Sequence, residues 1–295
     1  MLRRLVMAAA GAALLAASPA AFAGPADDPA NWRKVDAENL LQFTVNGQEI
    51  LIELRPDIAP IHVAQVRKIV RDGNYDKTPF HRVIDKFMAQ GGDVYSVYQV
   101  YPRYPNMPGE FNWQRDPSAQ KVQWFGMTPQ GDKIGYFDGL IVQGQPDEVA
   151  MISDPPVAKT WAIHCQGIAS MARSRSPDSA STEFYLMRAP RVGADSPLDK
   201  NYTVWGRAVT GLDTILGIKL GPPDNDGRFL NNNQADKLTK AMIAADIPEA
   251  KRPTVYVKRT DGPEFAATLA AIAINDPIQA CGLPPVDVIV ERPTP

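Results

Sequence analysis

The residues FHRVIDKFMAQGGD, which run from Phe80 to Asp93, constrain the fold of this chain more than any other stretch. They place Arg82 among large apolar residues that favour strands and burial, and Gly91-Gly92 lets the backbone turn without strain. Because removing an unpaired guanidinium from water costs several kcal/mol, we expect Arg82 to have either a charged partner or a functional role. An ion pair with Asp85 or with Asp93 would be the simplest partner.

If this stretch lies on a rigid sheet, Phe87 and Met88 form an apolar floor beside Arg82. The sequence here resembles the cyclophilin family of peptidyl-prolyl isomerases, in which FHRVI, a phenylalanine-methionine pair and QGGD occur in this order. Two further blocks resemble the same family, Gly167–Arg188 (GIASMARSRSPDSASTEFYLMR) and Leu198–Ile218 (LDKNYTVWGRAVTGLDTILGI). The resemblance implies a mainly β fold with flanking helices, built on a closed eight-stranded antiparallel barrel.

The resemblance also implies a peptidyl-prolyl cis-trans isomerase that needs no cofactor and acts on proline-containing unfolded or extended polypeptides. Rotation about an Xaa-Pro bond faces a barrier of about 18–20 kcal/mol, because the nitrogen lone pair is delocalised into the carbonyl. Arg82 matches the family arginine that donates to the prolyl nitrogen and stabilises the twisted imide. The positions that match the family's substrate-binding residues are His81, Phe87, Met88, Gln90, Ala172, Arg173, Glu183, Tyr185, Leu198 and Tyr202.

Some of these positions differ from the family pattern. Tyr185 stands where phenylalanine is usual, so its hydroxyl must find a partner or narrow the proline slot. Glu183 replaces a glutamine and could pair with Arg82 or with Arg173, which itself stands where asparagine is usual. Pro197 replaces the tryptophan associated with cyclosporin binding, so we expect that drug to bind weakly if at all.

Residues 1–23 have the pattern of a secretory signal peptide: a basic start at Arg3 and Arg4, a short apolar run and a cleavage site after Ala23. A membrane anchor is the alternative, although the run falls short of the roughly 20 strongly apolar residues that span a bilayer. We therefore expect a periplasmic or secreted product without membrane contact after cleavage. The formal net charge of −2 gives no reason to expect a nucleic acid partner.

Two cysteines, Cys165 and Cys281, would lie in a compartment that permits disulfides. A bond between them would tie the C-terminal region to the strand after a long insertion, and the sequence leaves open whether it forms. Together with the three histidines, the cysteines lack the spacing of a metal site, so no metal is predicted. We expect a monomer.

The domain organisation follows from composition and from the three family-like blocks. We predict that residues 24–37 form a polar tether and that residues 38–246 form the cyclophilin-like domain. Residues 247–295 are predicted to form a C-terminal α/β extension. Within the domain, residues 94–163 predict a folded insertion rich in tyrosine and proline, because a structureless loop of this length is improbable. Its aromatic residues either extend a binding surface or, the interpretation that we favour, bury the insertion's own small core.

Local signals near the start of the domain are stronger. Asn46-Gly47, between the alternating runs LLQFTV and EILIEL, predicts a β-hairpin. A helix should begin at Pro60 and end near Gly73, with His62 on its surface. The later segment DKLTKAMIAA is ambiguous between a helix and a strand, and the family order favours a closing strand.

Two other functions compete with the isomerase. One is a non-catalytic chaperone or peptide-binding scaffold on the same fold, which would bind its partner through the insertion and the C-terminal extension. The other is a hydrolase that pairs His81 or His164 with a serine of SRSPDS, a segment that lacks the nucleophile-elbow pattern. Measuring the isomerisation of an Ala-Pro peptide by the protein and by the Arg82→Ala variant distinguishes the enzyme hypothesis from the scaffold hypothesis.

Overall fold

The computed structural model of the chain describes residues 24–99, 103–193, 196–269, 272 and 274–293. The expected signal peptide at residues 1–23 lies outside these residues. The described part of the chain forms three antiparallel sheets, of nine, five and three strands, with short helices around them. No helix within it has the length and apolar character needed to cross a bilayer.

Strands and helices are numbered along the chain. The strands are β1 (Trp32–Lys34), β2 (Leu40–Val45), β3 (Gln48–Leu54), β4 (Thr78–Pro79), β5 (Arg82–Ile84), β6 (Met88–Gly91), β7 (Trp113–Arg115), β8 (Gln123–Met127), β9 (Lys133–Phe137), β10 (Leu140–Gly144), β11 (Ala158–Ala162), β12 (Ile168–Met171), β13 (Phe184–Met187), β14 (Val204–Thr210), β15 (Lys237–Ile243), β16 (Thr254–Lys258) and β17 (Val288–Glu291). The α-helices are α1 (Pro60–Arg71), α2 (Val94–Tyr98), α3 (Asp147–Ala150), α4 (Leu212–Gly217), α5 (Pro263–Leu269) and α6 (Pro277–Cys281).

The largest sheet has the strand order β4-β15-β2-β3-β14-β12-β13-β6-β5. It is an open half-barrel of nine strands, so the expected closed barrel of eight strands is wrong. The two edge strands, β4 and β5, are only two and three residues long and follow each other in the chain. Because Pro79 has no N–H group and the chain passes directly from β4 into β5, no ladder joins the two edges.

The predicted hairpin and helix are both confirmed. Strands β2 and β3 pair from Leu40 to Val45, and Asn46 and Gly47 form the turn with φ of 52° and 75°. Helix α1 buries one apolar face against the sheet, and Gly73 follows its end with a φ of 72°. The ambiguous segment near residue 240 is strand β15, which pairs with β2.

His62 is fully buried, so its predicted position on the surface of α1 is wrong. Its Nδ1 lies 2.7 Å from Oε2 of Glu110, and its backbone N–H donates to the same oxygen at 3.0 Å. Glu110 belongs to the insertion, which covers this end of α1. Helical periodicity could not reveal a partner so distant in the chain.

The insertion folds into the second sheet, with the order β7-β11-β10-β9-β8. Its aromatic residues do not form the separate core that we favoured. Trp161 and Phe137 belong to the core of the large sheet, while Phe125 and Tyr136 pack with the C-terminal region. The insertion therefore joins the two apolar cores of the molecule.

The third sheet joins the two ends of the described chain in the order β1-β16-β17. Trp32 pairs with Lys258, whose Nζ lies 5.3 Å from the centre of the indole ring, and Val35 is buried behind them. Residues 24–37 are therefore not a free tether. The polar composition of the segment concealed a strand that finds its partner more than 200 residues later.

A disulfide joins Cys165 to Cys281, with their Cα atoms 5.2 Å apart. Cys165 lies between β11 and β12, and Cys281 is the last residue of α6. The bond therefore fastens the C-terminal region to the large sheet close to the residues described next.

Candidate active site

A cavity of about 140 Å³ opens where β5, β6 and β13 meet the turn around residues 198–202. It brings together every predicted site residue except His81 and Glu183, which adjoin it through side-chain contacts. The lining residues are Arg82, Phe87, Met88, Gln90, Ala172, Arg173, Tyr185, Leu198, Tyr202 and, unpredicted, Arg228.

Strand register explains why three of these residues share the cavity. Arg82 on β5 lies opposite Gln90 on β6, and Gln90 lies opposite Tyr185 on β13. Residues directly opposite each other in antiparallel strands point to the same face of the sheet. The pairing of β5, β6 and β13 therefore places Arg82, Gln90 and Tyr185 on one face of the sheet.

The guanidinium of Arg82 is held by three contacts and is only 18% exposed. Its Nη2 donates to Oδ2 of Asp226 at 2.6 Å, its Nε donates to the backbone oxygen of Asp226 at 3.2 Å, and its Nη1 donates to Oε1 of Gln90 at 3.4 Å. Neither Asp85 nor Asp93 is its partner, so that expectation is wrong. Asp93 instead caps α2, because its carboxylate accepts from the backbone N–H of Ser96.

Glu183 pairs with neither Arg82 nor Arg173, contrary to expectation. Its Oε2 lies 3.2 Å from Nε2 of His81 and accepts from Nε2 of Gln90 at 2.8 Å. Burial raises the pKa of Glu183, but the contacts with His81 and Gln90 and the charge of Arg228 outweigh it and leave that pKa below its ordinary value. A carboxylate can only accept, so the amide group of Gln90 points to Glu183 and its oxygen points to Arg82.

The hydroxyl of Tyr185 finds a partner and leaves the proline slot open. It lies 3.1 Å from Nε2 of His164, which is fully buried. His164 also contacts Ser170 Oγ at 3.0 Å, and its Nδ1 lies 2.8 Å from Oδ1 of Asp199. Burial raises the pKa of the Tyr185 hydroxyl well above its ordinary value. Ser170 is itself fully buried, so this Ser-His-Asp arrangement cannot reach a substrate and offers nothing to the hydrolase hypothesis.

An apolar slot lies beside Arg82. Met88 and Leu198 are almost completely buried, whereas Phe87 and Tyr202 are partly exposed at its mouth. Such a slot suits a pyrrolidine ring, which offers only apolar surface. The backbone N–H of Ala172, at the edge of the slot, is already used, because it donates to the carbonyl oxygen of Glu183 at 2.8 Å.

Arg173 is fixed at the rim of the cavity. Its Nε donates to the carbonyl oxygen of Asn201 at 2.8 Å, and its Nη1 donates to that of Ser174 at 3.0 Å. The guanidinium lies 4.5 Å from the ring centre of Tyr202 and 5.7 Å from that of Phe111 in the insertion. One aromatic residue of the insertion thus reaches the candidate site.

Asp226 and Arg228 were missed in the sequence analysis. Both lie in the segment GPPDNDGRFLNNNQ, whose composition indicates a loop and nothing more. An isolated bridge pairs Arg228 with Arg82, and Asp226 has a φ of 51°. Only the Asp-Gly dipeptide marks the turn, and no local pattern connects it to a residue so far away in the chain.

Three arginines, Arg82, Arg173 and Arg228, line the cavity, and the guanidinium of Arg82 is held in place beside the apolar slot. Such a charge can stabilise electron density that becomes localised on a bound atom. No group of three or more His, Cys, Asp or Glu residues suited to a metal ion occurs in the described part of the chain.

Comparisons with known proteins place similarity to one family along most of the chain. Residues 40–240 match the family model described as "Cyclophilin type peptidyl-prolyl cis-trans isomerase/CLD". Proteins named "Probable peptidyl-prolyl cis-trans isomerase" from Brucella suis and Brucella abortus are 34% identical over 216 residues, which cover 72% of this chain and 85% of each of theirs. The crystal structure of cyclophilin AquaCyp293 from Hirschia baltica is 34% identical, has a TM-score of 0.81 and covers 94% of this chain and 100% of its own. That likeness extends beyond the region matched by the family model.

Proposed function

The chain belongs to the cyclophilin-type peptidyl-prolyl cis-trans isomerases, and on that premise we propose that it accelerates Xaa-Pro rotation in exported proteins with Arg82 as its catalytic residue. The observation that carries this proposal is the position of the Arg82 guanidinium, which lines the same small cavity as Phe87, Met88 and Leu198. A proline ring seated in that slot would bring its imide nitrogen within reach of the guanidinium.

The mechanism requires no bond to form or break. As the imide twists, its nitrogen becomes pyramidal and its lone pair is no longer shared with the carbonyl group. An N–H group of Arg82 donates to that lone pair, so Arg82 binds the twisted state more tightly than either planar isomer. Arginine suits this role because it stays charged and its planar fork is rigid.

Proline-containing unfolded or extended polypeptides are the proposed substrates. Arg173 and Ala172 lie at the rim of the slot, where the chain on either side of the proline would pass. The backbone of Arg173 stays in place because its side chain is anchored to Asn201 and Ser174.

The exported location is proposed from the signal-peptide pattern of residues 1–23, which lie outside the described residues. The disulfide between Cys165 and Cys281 supports it, since such bonds persist in oxidising compartments and are rare in the cytosol. Mass spectrometry of the protein from fractionated cells provides the test. We expect a chain that begins at Gly24 in the envelope or medium fraction, and an intact Met1 in the cytosol would contradict export.

The catalytic role of Arg82 is tested with an Ala-Pro peptide in a protease-coupled assay. We expect Arg82→Ala to lose at least about tenfold in kcat/KM, equivalent to about 1.4 kcal/mol of transition-state stabilisation, with unchanged folding. Arg82→Lys is the matched control: it keeps the charge but not the fork, so it should recover only part of the rate. Equal rates for the protein and for Arg82→Ala would exclude this mechanism.

The contacts of Glu183 and Tyr185 weigh against the scaffold hypothesis. The departure of these two residues from the family pattern had kept that hypothesis open, because Glu183 could hold Arg82 or compete with substrate and the Tyr185 hydroxyl could narrow the slot. Glu183 contacts His81 and Gln90 instead, and the Tyr185 hydroxyl points to His164.

A further inference from the structure

A second cavity, of about 700 Å³, adjoins the proline slot. Parts of the chain that are distant in sequence build it together. They are the turn between β8 and β9, Gln143 and Trp161 of the insertion sheet, Gly193, Ser196 and Asp199–Asn201, and Asn275–Pro277 before and within α6. The insertion and the C-terminal region therefore meet beside the active site and enclose space there.

One turn of chain separates the two cavities. Leu198 and Tyr202 line the proline slot, whereas the three residues between them, Asp199–Asn201, line the larger cavity. The turn is tight, because the carbonyl oxygen of Leu198 accepts from the backbone N–H groups of both Asn201 and Tyr202 at 3.0 Å. A polypeptide whose proline occupies the slot has only this turn to cross before it reaches the larger cavity.

Lys200 forms the top of this turn and faces the larger cavity. Its Nζ lies 3.8 Å from the ring centre of Trp161 and 3.6 Å from Oδ2 of Asp132 in the insertion. Its backbone has a φ of 63°, a conformation that non-glycine residues rarely adopt. The contacts to the insertion thus hold the turn in one conformation between the two cavities.

The walls of the larger cavity suit a polypeptide backbone. Gln130, Gln143, Asn201 and Asn275 each carry a carboxamide, the group that a peptide bond also contains. Gln143 Oε1 already accepts from Nε1 of Trp161, and Nδ2 of Asn201 donates to the backbone oxygen of Asp199, so these two carboxamides offer their remaining groups. The volume lies within the range of about 300–1,000 Å³ that is typical of ligand sites. Trp161, which is almost completely buried, forms the wall where Lys200 lies.

We propose that this cavity binds the segment of the substrate that flanks the proline, so that the enzyme recognises an extended chain rather than an Xaa-Pro unit alone. The inference rests on the proposed function of the neighbouring slot. Its occupant is polypeptide, because the cavity continues the peptide site across a single turn and presents carboxamides to it.

The test compares two substrates and two variants that fill the cavity. The short substrate is a blocked tetrapeptide with a central Ala-Pro, and the long one carries eight polar residues on each side of the same core. Isomerisation of both is measured by NMR exchange, which needs no protease. Gln130→Trp and Asn275→Trp each place a large side chain in the cavity wall, one in the turn between β8 and β9 and one before α6, and Lys121→Trp, at an exposed insertion residue outside the cavity wall, is the matched control.

We expect the protein to favour the long substrate over the short one by at least about fivefold in kcat/KM. Either filling variant should lower this ratio at least threefold, while Lys121→Trp leaves it unchanged and all three variants unfold at the temperature of the parent. A parent ratio near one, or a ratio that filling does not lower, would overturn the inference. Failure of the proposed function would give a different result from failure of this inference. In that case the protein would isomerise the short substrate no faster than Arg82→Ala does.

Discussion

Three of the five N–H groups of Arg82 donate hydrogen bonds within the protein, two to Asp226 and one to Gln90, and two remain for a substrate. The contacts to Asp226 occupy the edge of the guanidinium that carries Nε and Nη2, and Gln90 occupies one N–H of Nη1. The two remaining N–H groups, one on Nη1 and one on Nη2, therefore have a defined orientation. An arginine with such a long side chain would otherwise lose considerable rotational freedom when it engages the imide.

We predict that Asp226→Ala lowers kcat about threefold to tenfold and changes KM less. The variant removes the charge-assisted bond to Nη2 but keeps the bond from Nε to the backbone oxygen, so Arg82 is oriented less well. Asp226→Asn should stay within about twofold of the parent, because its amide oxygen can accept from Nη2. Peptide kinetics measure both, and Asp224→Ala in the same exposed loop is the control. If Asp226→Ala were faster than the parent, the carboxylate would be a competitor of the substrate and not a support for Arg82.

At the level of single residues, the sequence predicted which residues belong to the site better than it predicted which groups those residues contact. The residues around the slot were identified because the family-like blocks carry them at fixed spacings. Their partners were not, because Asp226 lies 144 residues from Arg82 and Glu110 lies 48 from His62. A hydroxyl or carboxylate in the sequence shows that a partner is needed, as at Tyr185, but not which group supplies it.

Among the secondary-structure elements, those with local signals were predicted and those that depend on distant pairing were not. The β2–β3 hairpin and α1 carry their own turn and cap residues, so their ends could be read from the sequence. Strand β1 has no such signal and exists because β16 offers it a partner. The sheet of the insertion was missed for the same reason, since its tyrosines and prolines indicate an ordered loop as readily as a strand.

Helix α6 is held to the large sheet by the bond between Cys165 and Cys281, which are separated by 116 residues. Closing so long a loop restricts the unfolded chain, so we predict that reduction lowers the free energy of unfolding by about 2–5 kcal/mol. Urea unfolding with and without dithiothreitol measures the difference. A variant with Cys165→Ala and Cys281→Ala should have the free energy of unfolding of the reduced protein, and that value should not change when dithiothreitol is added. Identical urea midpoints for the oxidised and reduced protein would contradict the prediction.

Across the whole molecule, one buried carboxylate connects two of the sheets. Glu53 on β3 forms ion pairs with Arg33 on β1 at 2.6 Å and with Arg207 on β14 at 3.2 Å. Burial raises the pKa of Glu53, but the charges of Arg207 and Arg33 and the hydrogen bond from Arg33 outweigh it and leave that pKa below its ordinary value of 4.5. The carboxylate is therefore ionised in the folded protein whenever it is ionised in the unfolded chain.

We predict that Glu53→Gln lowers the free energy of unfolding by about 3 kcal/mol at neutral pH, because it removes the carboxylate shared by two largely buried guanidinium groups, of which Arg33 keeps only its ion pair with Asp138. The folded-state pKa is depressed, so the stabilisation by Glu53 is fully present above its ordinary value of 4.5 and is lost as pH falls through the lower folded value. Urea unfolding of the parent and the variant should show a constant difference from about pH 6 to pH 8 and a smaller one in stronger acid. Glu38→Gln, at an exposed ion pair, is the control and should cost less than about 1 kcal/mol. A difference that does not change with acidity would contradict the role of the charge.

The pairing of β1 with β16, and of β16 with β17, determines when this protein can finish folding during its synthesis. Its first strand is made early, but the ribosome must add more than 200 further residues before the partner exists. Until then Trp32 and the buried Val35 remain without their partner strand, and a nascent chain that stalls before β16 would be exposed to proteases and aggregation. The fold of this isomerase is therefore completed only when strands that are translated far apart in time can pair.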